Sequence, residues 1–256
     1  MSGPLAIVWR GDRETRDGAT PQNNRLGKVF DALAENGVVA EPAVYAEEMI
    51  EELRDQLLRQ RGVLVWVDPI SAGRDRSQLD ALLREVASRG AWVSTHPDVI
   101  LKMGVKEVLY RTRGLGWGTD THQYATPQAF RDEFPRRLAS GARVLKQNRG
   151  NGGIGVWKVA LIDGQVAPDR DTPVQVLHAT RGSELEQLPL GEFMDRCEEY
   201  FAGAGLIIDQ PFQHRLPEGM IRCYLVQDRV VGFGRQLIRA LMPPPPPGAP
   251  VGASRP

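Results

Sequence analysis

Residues 144–159 read VLKQNRGNGGIGVWKV. Gly150, Gly152, Gly153 and Gly155 crowd into six positions, with Lys146 before them and a second lysine after. Glycine lets a backbone approach a ligand closely and adopt φ > 0 without strain, which is why such runs often cradle phosphate. Three phosphate-binding devices compete for this one. A Walker A loop needs GxxxxGK[ST]; Gly150 and Gly155 have that spacing, but Val156-Trp157 stands where Lys-Ser belongs. A dinucleotide fingerprint, GxGxxG, is spelled by Gly150, Gly152 and Gly155, yet it must open a helix. The following VWKVALI is aromatic and β-branched, with neither a capping residue nor helical spacing. The third device is a flap between two antiparallel strands, whose amides fold over a triphosphate while Lys146 neutralises its charge. An ordinary hairpin loop without a ligand is the competing structural reading.

The rest of the chain limits what the flap can serve. With 256 residues, 41% of them hydrophobic, it holds one large or two modest domains with a real core. Lys+Arg and Asp+Glu each number 32, so no net charge favours nucleic acid or an anionic membrane as the main partner. Cys197 and Cys223 have no CxxC or Cys/His spacing and read as two reduced thiols, although one disulfide between them is the alternative. The N-terminal MSGPLAIVWRGDRET turns charged too soon for a secretory signal. No window approaches the ~18 apolar residues of a membrane span. A cytoplasmic location is expected.

Apolar runs and glycine stops organise residues 1–95. PLAIVW (4–9), VVAEPAVY, VLVWVDP (63–69) and AWVST are strand candidates. RLGKVFDALAENG, EEMIEELRDQLLRQRG and RSQLDALLREVASRG are helix candidates ended by glycine. The alternation predicts a small parallel α/β domain, with ligands expected near Asp68 and Ser94–His96 at the strand ends. The second helix carries Glu/Arg pairs at helical spacing and reads as a solvated amphipathic face.

From residue 96 the texture changes. HPDVILKMGVKEVLYRTRG predicts a turn and then one helix, LGWGTDTHQYATP a loop, and PQAFRDEFPRRLASG a helix with a break at Pro135. Strands RVLKQ and VWKVALI flank the flap; LGEFMDRCEEYFAGAG predicts a further helix, then LIIDQPF a strand. MIRCYLV and VVGFGRQLI are joined by the short polar QDR (227–229), as in a hairpin. Residues 96–242 therefore read as a second, α+β domain with antiparallel strands. The final PPPPPGAPVGASRP (243–256) reads as a disordered, proline-rich tail, with a proline-motif ligand for a partner as the alternative.

In this order the features resemble the ATP-grasp superfamily of ATP-dependent carboxylate–amine ligases. A small α/β domain comes first, then a helix lysine (Lys106, or else Lys102), then Lys146 with a flap over Arg149–Gly155, then a hinge strand and a paired strand. The resemblance implies a nucleotide site in which Lys106, Lys146, Arg149, Gly150, Gly152, Gly153 and Gly155 hold phosphates. It implies that Gln210 to Phe212 line the adenine, that Glu218 takes the ribose hydroxyls, and that Arg222 and Arg239 face the phosphates and a forming acyl phosphate. ATP and Mg²⁺ are the implied cofactors, a small molecule the implied substrate, and a homodimer an assembly the family allows.

Cations are needed because attack of a carboxylate on the γ-phosphate brings two anions together. A closing flap would keep the mixed anhydride from water. Two departures stand out. Pro211 replaces a hinge residue that often donates, leaving the amide of Phe212 or Gln213 for adenine. No acidic strand or E-x-N pair follows the position of Arg239, so no metal ligand is assigned. The expectation is an ATP-binding protein of ligase type, with a truncated or degenerate, non-catalytic relative as the alternative. His96, His122, His178 and His214 lack metal spacing and read as loop or surface residues; Trp117 either stacks on a substrate or packs on its own domain.

Overall fold

The computed structural model describes residues 3–71, 73–116, 118–162, 167–238 and 240–242. Trp117, Arg239 and the tail 243–256 lie outside the described residues. The chain divides between Val105 and Lys106 into two compact units.

The first unit contains β1 (Leu5–Arg10), α1 (Arg13–Asp17), α2 (Gly27–Glu35), β2 (Ala40–Tyr45), α3 (Ile50–Leu57), β3 (Gly62–Trp66), the small pair β4 (Ile70–Ser71) and β5 (Arg74–Asp75), α4 (Ser77–Ser88), β6 (Trp92–Ser94) and α5 (Pro97–Met103). Its main sheet has the order β2-β1-β3-β6, with every pairing parallel. Successive residues of β1 enter opposite cores. Ala6 and Val8 pack with Leu53, Leu57, Leu79 and Leu83 from α3 and α4, whereas Ile7 and Trp9 pack with Leu26 and Phe30 at α2. Burial on both faces is why the strand sequences are continuous apolar runs instead of alternating ones. Within this unit Arg76 and Asp80 form a buried ion pair at 2.9 Å, and Arg76 also donates to the Val67 carbonyl at 2.6 Å.

The second unit contains α6 (Glu107–Arg111), β7 (His122–Tyr124), α7 (Pro127–Leu138), β8 (Arg143–Gln147), β9 (Val156–Leu161), β10 (Pro173–His178), β11 (Leu185–Pro189), α8 (Leu190–Arg196), β12 (Ile207–Pro211) and the hairpin β13 (Met220–Val226) and β14 (Arg229–Gln236). Six strands form an antiparallel sheet in the order β11-β10-β9-β8-β12-β7. Phe130, Phe134 and Leu138 of α7 and Phe193 and Met194 of α8 close its core against Leu145, Val159, Val174, Val176 and Ile207. The fold is thus α/β followed by α+β, as the sequence predicts.

Local expectations fail where distant contacts intervene. The single helix expected after residue 97 is two helices, α5 and α6. The Gly104 amide closes α5 on the Ile100 carbonyl, and Asn148 then caps α6, accepting from the Lys106 and Glu107 amides at 2.9 Å each. Pro135 does not break α7, which runs from Pro127 to Leu138 with Thr126 as its cap. Burial of Phe130, Phe134 and Leu138 outweighs the one amide bond that proline removes. The expected loop before α7 contains β7, recruited to the sheet edge by pairing with β12. Strands β10 and β11 were not singled out in the sequence. Cys197 is buried and Cys223 exposed, and both are free thiols. Among the described residues no helix is long and apolar enough to cross a membrane.

Candidate nucleotide-binding site

Antiparallel pairing of β8 with β9 places the glycine run at a strand–loop–strand turn, since Lys146 pairs with Val156 and Val144 with Lys158. Gly152, Gly153 and Gly155 have φ of 61°, 85° and 65°, in the left-handed region that other residues avoid. Their surroundings differ. A Cβ on Gly152 would meet open space, one on Gly153 would come within 2.5 Å of the Ala179 carbonyl oxygen, and one on Gly155 would overlap Cγ and Cδ of Gln147. Gln147 also donates from its side chain to the Ile154 carbonyl at 3.0 Å, and its amide donates to the Gly155 carbonyl at 2.8 Å. The flap is therefore folded onto Gln147. Gly155→Ala is expected to cost about 2 kcal/mol or more, against about 1 kcal/mol for Gly152→Ala, in urea denaturation. Equal losses for the two variants would remove Gln147 from this role.

Lys106, at the head of α6, donates from Nζ to the Gly150 carbonyl at 2.7 Å. Lys146 on β8 donates to Oε1 of Gln210 on β12 at 2.7 Å. Lys158 lies over the Phe212 ring, 3.9 Å from its centroid. These lysines are half-buried, and among the described residues none forms an ion pair with a carboxylate. Desolvation holds all three below the ordinary lysine value, and the charge of Lys106 depresses Lys146 further. A desolvated ammonium favours an anionic ligand that offsets its lost hydration.

Lys146 lines a cleft of about 190 Å³ together with Thr119, Val144, Gln210, Phe212 and Leu216, among others. Its size suits one ring system better than a whole ligand, for which ~300–1,000 Å³ is usual. Phe212 stands at its wall, but its amide donates to the Ala142 carbonyl at 2.9 Å. Of the two amides expected to reach a base, the structure commits that of Phe212 to the sheet.

Behind the cleft is a charge network on the α7 side of the sheet. Asp209, fully buried, accepts from Arg143 Nε at 2.7 Å, Arg137 Nε at 3.0 Å and the Tyr124 hydroxyl at 2.7 Å. Asp120 accepts from the same two arginines at 2.7 and 3.1 Å. Hydrogen bonding to Arg137 is the main cause that holds the Asp120 carboxyl below its usual value. Burial, then the adjacent Asp209, pushes the Tyr124 hydroxyl far above its ordinary range.

The structure thus gathers Lys106, Lys146, Gly150, Gly152, Gly153, Gly155, Gln210 and Phe212; Arg149 is in the same flap. Glu218 and Arg222 make their hydrogen bonds with partners inside residues 215–236. Glu218 is held by Arg215 at 2.7 and 2.9 Å, and Arg222 donates to the Gln236 side chain. His178 and His122 are strand residues: His178 Nε2 accepts from the Gly155 amide at 3.1 Å, and His122 bonds Glu133 at 2.6 Å. His96 caps α5 by accepting from the Asp98 amide. Lys158, Thr119, Thr121 and Asp209 were not recognised in the sequence. Period-2 spacing from Val156 would have placed Lys158 on a face with the strand's first residue, but nothing local marks the other three.

By comparison with solved structures the fold is of the ATP-grasp type. The chain is similar to the D-cycloserine synthetase DcsG, with a TM-score of 0.54 and 15% identity, over 86% of this chain and 62% of that one. It is similar also to a RimK-domain ATP-grasp protein from Sphaerobacter thermophilus, with a TM-score of 0.50 and 14% identity, over 91% of this chain and 73% of that one. At these identities the likeness is one of fold. No protein-family model and no curated protein matches the sequence. The chain spans 62% of the length of the D-cycloserine synthetase.

Proposed function

We propose that the second unit binds ATP and that the chain is of ATP-dependent ligase type, joining a small-molecule carboxylate to a nucleophile through an acyl phosphate. The observation that carries this reading is a set of three half-buried lysines without carboxylate partners among the described residues, Lys106 on the flap carbonyl of Gly150, Lys146 on Gln210 and Lys158 over Phe212. Lys106 and Lys146 would bind phosphate oxygens in place of the Gly150 carbonyl and Gln210 side chain they now contact. The flap glycines, with Arg149, would bring backbone amides over the phosphates. Gln210, Phe212 and the amide of Gln213 would bound the base, and Glu218 the ribose. Arg222 and Arg239 are proposed for the transferred phosphoryl group. ATP supplies the phosphoryl group that activates the carboxylate; the residues bind, orient and exclude water.

Mg²⁺, which the fold implies, does not fit the described residues in the same way. Among them no group of three or more His, Cys, Asp and Glu side chains is placed to hold a metal ion. A nucleotide-binding relative without turnover is the second reading.

Isothermal titration calorimetry with ATP tests binding, and release of ADP in the presence of Mg²⁺ and candidate carboxylates tests turnover. Saturable binding is expected; its absence removes both readings. The depressed lysines also set the pH dependence. Protonated lysines bind the polyphosphate, so affinity falls as pH rises, and it begins to fall below the ordinary lysine value of 10.5. An affinity flat up to that value would show that these lysines do not contact the ligand.

A further inference from the structure

Thr119 and Thr121 hold Gln210 of β12 directly, and Asp120 between them reaches the preceding residue, Asp209, through two arginines. On the cleft face, Gln210 Nε2 donates to Thr121 Oγ1 at 2.9 Å and to Thr119 Oγ1 at 3.3 Å. The two hydroxyls lie 3.3 Å from each other. On the opposite face, the side chain and carbonyl of Asp120 accept from Arg137 and Arg143, the two arginines that hold Asp209. Thr121 is itself buried, at 6% exposure, so its hydroxyl sits away from competing solvent.

The chemistry of the carboxamide makes this grip directional. A lysine ammonium only donates, so Gln210 must present Oε1 to Lys146, at 2.7 Å. Its NH₂ must then face acceptors, and the threonine hydroxyls are what it meets. Without them only Lys146 would orient the carboxamide, and its oxygen would be held less firmly on the ammonium.

We propose that residues 119–121 are a clip on the hinge strand and that Thr121 is a positioning residue for Lys146, acting through Gln210. The clip ties a segment outside the flap to the cation at the centre of the site. Its consequence for ligand binding rests on the nucleotide reading above, but its effect on Lys146 does not.

The test uses the full chain without nucleotide. A pulse of acetic anhydride, followed by peptide mass spectrometry, measures labelling of Lys146 against pH with Lys106 as internal reference. In Thr121→Val the Lys146 curve is expected to move to lower pH, with labelling at a fixed pH up about fivefold. Lys106 should be unchanged, and Thr121→Ser should restore the wild-type curve. Gln210→Ala removes the same acceptor and should reproduce the shift, with no further shift in the double variant. A change in access alone would raise the labelling rate at every pH without moving the midpoint, and that result overturns the proposal. An unmoved curve in folded Thr121→Val also overturns it. Should that variant not fold, an unmoved midpoint in Gln210→Ala overturns it as well. If the midpoint shifts as expected and the wild type binds no ATP, the clip stands and the nucleotide reading falls.

Discussion

Replacing Asp209 with alanine is expected to destabilise the second unit by about 3–5 kcal/mol. The carboxylate is fully buried and is the shared acceptor for Arg143, 4% exposed in its side chain, and for Arg137. Its removal leaves a buried guanidinium facing the Tyr124 hydroxyl and its neighbours with no carboxylate of its own on that side. The loss is dominated by this stranded charge and not by the net worth of the ion pair, which desolvation largely offsets. Asp120, more than half exposed, still reaches both arginines, yet its position by the solvent limits what it returns. Asp120→Ala should therefore cost about 1 kcal/mol or less. Urea denaturation of the full chain measures both, and hydrogen exchange of peptides covering 122–147 and 206–212 assigns the loss to this sheet. A loss in Asp209→Ala no larger than in Asp120→Ala would mean that the network contributes nothing specific to the hinge strand.

Lys146→Met is expected to separate function from stability. The substitution retains the apolar stem and removes a cation that desolvation and the charge of Lys106 disfavour. ATP affinity should fall about 100-fold, as for the loss of a charge-assisted phosphate contact in a poorly solvated site. The free protein should be at least as stable as the wild type, because a lysine with a depressed pKa is one the fold bears at a cost. Below its folded pKa that cost is present in the wild type, and it fades as pH rises through that value. Stability of the wild type should thus gain on the variant toward alkaline pH. Thermal unfolding with and without ATP reads both effects together: the ligand raises Tm in the wild type and hardly in Lys146→Met. A variant that retained wild-type affinity would remove Lys146 from the site. One that lost stability at neutral pH would assign it a structural role instead.

Much of this architecture is legible along the chain. Apolar runs such as residues 63–67, with glycines at helix ends, place the parallel strands and their helices, because each depends on neighbours a few positions away. The flap is legible for the same reason: VLKQ and VWKV have strand texture, and four intervening glycines require a tight turn. Lys146 follows from its place before it, whereas Lys106, or else Lys102, is implied only by the resemblance. The break at Gly104 and the intact helix through Pro135 are not legible, since Asn148 caps the one and the α7 core holds the other.

What the sequence alone determined, then, is the order of most elements and the identity of the groups at the flap, both written in short-range periodicity and backbone preference. Tertiary structure decided which groups share the site. Lys146 meets Gln210 across 64 positions, Arg143 meets Asp209 across 66, and Gln210 meets Thr121 across 89. These contacts exist only because β12 is inserted between β8 and β7, a pairing set by burial of the whole sheet and not by any residue's neighbours.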